Sequence, residues 1–173
     1  MSDNLAQSIT LVFGSEGGFV NNRFDNGGPT KYGITAATLG AWRHLGRPAT
    51  VQEVQGLTLE EATQILDKQY AQPVCYSQLP AGIDYCMFDE SVNSGPVRAI
   101  EDLQTCLGVA SDGHLGIITM QAVGRITNRA AFIQKLCAQR MGFLRHLPSW
   151  AHFGTGWTNR VRSVQANALK MIA

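Results

Sequence analysis

The chain has 173 residues, 45% of them hydrophobic and 16% charged, with a formal net charge of +1. That length suits one domain, or one domain with a small appendage, and is enough to bury a sizeable core. The composition excludes a disordered or fibrous chain, and the near-neutral balance argues against a dedicated nucleic-acid binder, which carries a marked basic excess.

Residues 1–13 lack the basic start, long apolar run and small-residue cleavage site of a secretory signal, and no run reaches transmembrane length. The expectation is synthesis in the cytoplasm without a signal peptide and no stable membrane insertion. Leu5, Ile9, Val12 and Phe13 recur at helical spacing and predict a first helix, capped by Ser2 or Asp3 and ended near Gly14 and Gly17. Glu16 then stands at a helix C-terminus, where the negative end of the dipole and apolar neighbours favour the protonated carboxyl. That state suits a general acid.

Residues 19–34 read as short extended segments with turns at Asn21-Asn22 and Asn26-Gly27-Gly28, a small β-ribbon. Thr35 can cap a helix through Ala36, Leu39 and Trp42, and Thr50 starts a shorter turn. Thr58-Leu59-Glu60-Glu61 has the form of a capping box and opens a helix that Pro73 ends. Residues 83–92 are apolar on most sides and predict the buried central helix, with Asp84 and Asp89 in need of hydrogen-bonding partners and a structural network expected for Asp89.

Further helices are predicted over 98–107, 119–126, 129–147 and 158–172, with a turn-rich linker at 109–116. Trp150, Phe153 and Trp157 fall in a glycine-bearing loop and are expected to close a core rather than to line a binding site. Arg140, Arg145, His146, Arg160 and Arg162 read as a solvated helix face or as a surface for an anionic polymer. Cys75, Cys86, Cys106 and Cys137 form no metal or redox motif and are expected as buried thiols, a disulfide formed after export being the alternative. The four histidines share no metal spacing, so no metal and no cofactor is expected. The whole reads as mainly α, with a small β-ribbon after the first helix.

Glu16 and Asp25, nine residues apart in a glycine-rich run, make a candidate carboxylate pair. Glycoside hydrolysis needs one carboxyl to protonate the leaving oxygen and a second group to activate water or stabilise oxocarbenium charge. Spacing alone fits an ordinary surface loop with two solvated acids equally well. Tyr32, Asn93 and Ser94 carry hydroxyl and amide groups able to contact a polar ligand, while Asn93-Ser94-Gly95 also reads as a helix end and Tyr32 as ribbon packing.

The runs Glu16-Gly17-Gly18-Phe19-Val20-Asn21, Asp25, Gly27-Gly28, Thr30 and Tyr32-Gly33-Ile34-Thr35, followed by Leu79-Pro80-Ala81-Gly82, Phe88-Asp89 and Val92-Asn93-Ser94-Gly95, resemble the N-acetylmuramidases of glycoside hydrolase family 108. The resemblance implies a lysozyme-like fold that cleaves the β-1,4 bond between N-acetylmuramic acid and N-acetylglucosamine, with Glu16 catalytic. It is also similar to phage lysozymes, in which an aspartate follows nine residues after the glutamate and a threonine after that. Asp25 holds the first position, and Thr30 and Thr35 straddle the second. Thr30, Tyr32, Thr35, Asn93 and Ser94 are the substrate-binding candidates.

Leu107-Gly108-Val109, Asp112-Gly113, Gly116 and Thr119, with Leu147-Pro148-Ser149-Trp150 and Gly156-Trp157, resemble a peptidoglycan-binding segment. The implied organisation is a catalytic region at 1–92 and a helical binding region at 93–173, packed as one unit. The implied partner is bacterial peptidoglycan, met by a monomer acting on the cell wall after holin-dependent release, as a phage or prophage endolysin. A secretion-associated lytic enzyme, a lytic transglycosylase and a non-catalytic peptidoglycan binder are the alternatives.

Overall fold

The computed structural model describes residues 3–16, 19 and 28–173, with the side chains at positions 3, 15 and 16 left aside. Helix α1 spans Asp3–Glu16 and buries Leu5, Ile9 and Val12 on one face, as the spacing predicts. It runs through Gly14, which has open space around it, so that glycine does not end the helix. Ser2, Gly17, Asp25 and the turns expected at 21–22 and 26–27 lie outside the described residues.

Strands β1 (Thr30–Lys31) and β2 (Ile34–Thr35) form an antiparallel ribbon in the register Thr30↔Thr35 and Lys31↔Ile34. Its turn is Tyr32-Gly33, with φ of 56° and 76°. Two successive positive φ values match the twist of a two-residue hairpin. The sequence predicts an extended segment straight through Tyr32, because an aromatic residue seldom takes left-handed backbone. Here its ring packs on Phe13 at 5.1 Å between centroids.

Thr35 caps α2 (Ala36–Trp42) by accepting from the Thr38 N–H at 3.2 Å. The full capping box lies one helix earlier than expected. In α3 (Val51–Gln55) Thr50 and Glu53 bond reciprocally, at 3.2 and 2.6 Å, and Arg47 with the Thr50 amide holds the Glu53 carboxyl down to about 2. At α4 (Leu59–Leu66) only the Thr58 half forms, because Glu61 is drawn instead to Arg43 at 2.8 and 2.5 Å. A π turn, Asp67–Ala71, extends α4.

Helix α5 (Ile83–Ser94) is buried at every position from Ile83 to Ser91. It packs against α1, α6, α8 and α9, so it is central as expected. Gly95 at φ 89° ends α5, Pro96 starts α6 (Pro96–Leu107), and Gly108 in left-handed backbone ends it. The linker is held by buried Gln104, which accepts from the Gly113 N–H at 2.9 Å and donates to Asp112 Oδ1 at 2.7 Å. Helices α7 (Ile117–Gly124), α8 (Arg129–Arg145) and α9 (Trp150–Lys170) follow. The last begins eight residues before the predicted start. Trp150 lies over Gly154, where a Cβ would stand 2.7 Å from the indole, so glycine in this helix lets the ring fold back on its own backbone.

All four cysteines are free, Cys75 partly exposed and the others buried. Among the described residues no helix is long and apolar enough to cross a membrane.

Gly82 joins the start of α5 to the far helices. Its φ is 82°, and a Cβ there would meet the Ala168 carbonyl at 2.7 Å and Ile133 Cδ1 at 2.8 Å. Gly82→Ala should therefore combine backbone strain with overpacking and destabilise by about 2–4 kcal/mol, read as a lowered urea midpoint with unchanged slope.

Candidate active site

Three elements meet around a groove of about 690 Å³: the second half of α1, the end of α5 and the inward face of α9. That volume lies within the range of about 300–1,000 Å³ usual for small-ligand sites. Thr10, Leu11 and Gly14 line it from α1 and Asn93 from α5. From α9 come Phe153, Trp157, Arg160, Ser163 and Asn167, the i, i+4, i+7 pattern of one helix face. The lining thus combines aromatic rings with amide, hydroxyl and guanidinium groups.

Glu16 is the last residue of α1, two positions beyond Gly14 and about 3 Å of helix rise further along. Its side chain and Asp25 lie outside the described residues. The ribbon reaches the same end of the molecule. Phe13 meets Tyr32, and a Cβ on Gly33 would touch Val92 Cγ1 at 3.5 Å, one residue before Asn93. The Lys31 ammonium lies 5.1 Å from the Tyr32 ring centroid and donates to the Gln55 carbonyl at 2.6 Å and the Leu57 carbonyl at 2.9 Å.

The other candidates are engaged locally. Thr30 donates to the Gly28 carbonyl at 3.2 Å, and Thr35 is the α2 cap and also meets Thr38 Oγ1 at 3.0 Å. Ser94 ends α5 and is not among the residues that line the groove, whereas Asn93 is. The aromatic trio does two things. Trp150 and Trp157 pack against the core as expected, but Trp157, with Phe153 at 5.7 Å, also forms a wall of the groove.

Beneath the groove Asp89 is wholly buried. Arg140 donates to its Oδ1 at 2.7 Å and Arg160 to both oxygens, at 3.0 and 3.1 Å. Burial pushes the Asp89 carboxyl up, and the Arg160 and Arg140 guanidiniums more than offset it, leaving it below the usual range. This is the network expected for Asp89. The arginines correct the reading of a solvated basic face, since Arg140 is 2% exposed and the Arg160 side chain 9%. Helical periodicity carried back to Trp150 would have placed Phe153, Trp157 and Arg160 on one face. The glycines at 154 and 156 hid that signal.

Glu90, next along α5, is 1% exposed. Burial raises its carboxyl well above the ordinary value, Arg140 opposes this, and a hydrogen bond to buried Asp102 adds to it. Asp102 is paired with Arg98 and accepts from Gln139 at 3.1 Å. Glu90 is therefore held as the acid. Among the described residues no three of His, Cys, Asp or Glu converge as a metal site.

A helical body with a small ribbon after the first helix, and a groove between α1, α5 and α9, are those of a lysozyme-like glycoside hydrolase. The profile of the family described as Glycosyl hydrolase 108 matches residues 9–95, and the chain belongs to that family, whose substrate class is peptidoglycan. Among solved structures it is similar to Brucella abortus SagA, at 39% identity and a TM-score of 0.92, over 99% of this chain and 97% of that one. No curated protein sequence matches it.

A raised carboxyl contributes stability that is full below its ordinary value of 4.5 and is lost as pH climbs toward the folded-state value. Glu90→Gln keeps the shape and removes that loss. Its stability relative to wild type should rise with pH above 4.5, by up to about 1.4 kcal/mol per unit, in urea unfolding compared at pH 5 and pH 8.

Proposed function

We propose that the chain is an N-acetylmuramidase that cleaves the β-1,4 bond between N-acetylmuramic acid and N-acetylglucosamine in bacterial peptidoglycan, with Glu16 as general acid and Asp25 as its partner. The observation that supports it is the convergence of the end of α1 at Glu16 with the aromatic and amide groove shared with α9. At a helix C-terminus the last carbonyls carry partial negative charge, which disfavours an ionised carboxylate and keeps a proton available near neutral pH. Glu16 delivers that proton to the glycosidic oxygen. Asp25 stabilises the oxocarbenium-like charge or orients water on the other side of the ring.

The flat apolar faces of Phe153 and Trp157 suit the C–H surfaces of pyranose rings, and Asn93, with Tyr32 on the ribbon, supplies polar contacts. Thr30, Thr35 and Ser94 act through the ribbon and the end of α5, where their backbone positions shape the site. The helices of residues 93–173 hold the glycan strand against the acid, the peptidoglycan-binding role that the resemblance implies for that region. The spacing of Glu16 and Asp25, which resembles phage lysozymes, supports a setting in phage or prophage lysis, with the monomer acting on the wall after a holin opens the membrane.

Glu16→Gln should reduce clearing of purified cell walls by about 10²–10⁴-fold while leaving the melting temperature near wild type. Asp25→Asn should give a smaller but clear loss; full activity in that variant would leave a single-acid mechanism. Mass spectrometry of the products should show reducing-end muramic acid. Anhydro-muramic acid would make the enzyme a lytic transglycosylase, and released peptide with intact glycan would overturn both readings.

A further inference from the structure

An asparagine amide offers a carbonyl on one side and an NH2 on the other, and flipping the group exchanges them. At Asn93 the choice is removed. Arg140 Nη2 donates to Asn93 Oδ1 at 2.9 Å, and a guanidinium has only donors to present, so the carbonyl must face it. Arg140 cannot swing away. It is 2% exposed, and its Nη1 is held by Asp89 Oδ1 at 2.7 Å. Asp89 is fixed in turn by the Arg160 Nε bonds.

The consequence falls in the groove, which Asn93 lines. Among the described residues its Nδ2 has no acceptor, so the side of the amide away from Arg140 is left with donors for whatever occupies that space. Leu11, Phe153 and Trp157 add apolar surface in the same groove, and the Ser163 hydroxyl adds an acceptor. Among the polar groups that line the groove, the Asn93 donor and the Ser163 acceptor, taken with this apolar surface, are the complement of an acetamido group, which carries a carbonyl, an N–H and a methyl. A sugar hydroxyl would use the donor and leave the apolar surface empty. A free amino group, an ammonium at neutral pH, would set donors against the Asn93 donor near two guanidiniums, which costs both hydrogen bonding and charge.

We propose that this end of the groove is an acetamido subsite: Asn93 Nδ2 donates to the acetamido carbonyl of an N-acetylated aminosugar, and Arg140, anchored on Asp89, is the positioning residue that sets the amide. The proposal rests on the glycan-hydrolase reading and adds that the enzyme senses N-acetylation through Asn93.

The test uses purified full-length protein with cell walls from one source, either fully N-acetylated or chemically N-deacetylated, and reads both kcat/KM for clearing and sedimentation with the walls. Wild type should prefer the acetylated wall by about tenfold or more, in binding as in turnover. Asn93→Asp keeps the Arg140 bond but replaces the donor by an acceptor, and Asn93→Ala removes both. Each should lose about tenfold on acetylated wall, mainly in KM, so that the preference falls toward unity.

Equal losses on both walls, or a preference unchanged in both variants, would overturn the subsite. Arg140→Gln, checked for folding by its melting curve, should lower the preference without adding to the Asn93→Ala effect, whereas a merely structural arginine would lower activity on both walls alike. If wild type cleaves neither wall, the hydrolase reading fails, and the sedimentation ratio still decides the subsite.

Discussion

A carboxylate with no solvent exposure is the constraint on which this molecule depends. An ion buried without partners costs several kcal/mol, and Asp89 meets that demand with two arginines that are themselves nearly enclosed. Each of the three residues would be intolerable without the others, so the helices that carry them, α5, α8 and α9, have one relative placement that satisfies all of them. Hydrophobic packing alone tolerates a slide between helices more readily than a charge network does. Because α5 and α9 also supply the groove, the network sets the distance across the site as well as the stability of the core.

The fold was legible in the sequence wherever a local device acts alone. Leu5, Ile9 and Val12 announce α1, Thr35 announces the start of α2, and Gly95-Pro96 and Gly108 bracket α6. Legibility failed where a side chain has a distant claim on it. Glu61 has the sequence of a capping residue, yet Arg43, eighteen positions away, takes both its oxygens. Trp150 covers the backbone of Gly154 and turns an apparent loop into the first turns of α9. Tyr32 accepts left-handed backbone because its ring gains Phe13 as a neighbour.

The candidate site divides in the same way. Glu16 and Asp25 stand out through a dense local motif, and Asn93 through its place at a helix end. Arg140 and Arg160 do not stand out, because a charge in a helix reads as solvated until its partner is known, and Asp89 lies 51 and 71 positions away from them. Asp89 itself was readable as a network residue, since a carboxylate in an apolar helix has few other ways to exist. A buried charge declares that it has a partner without naming it.

That division has a functional side. Of the residues around the groove, Thr10, Leu11, Gly14 and Asn93 fall within the matched span of residues 9–95, while Phe153, Trp157, Arg160 and Asn167 fall beyond it. The end of α1 and Asn93 thus belong to one part of the chain and the opposing wall to another. Substitutions on the groove face of α9 can alter that wall without moving the end of α1. Arg160 is the exception, because it serves the wall and the Asp89 network at once. It limits how far the wall can vary: Phe153 and Trp157 can be exchanged for other flat or apolar groups at the cost of contact area, but a neutral residue at 160 leaves Asp89 with Arg140 alone, and the loss then reaches Asn93 through the shared carboxylate.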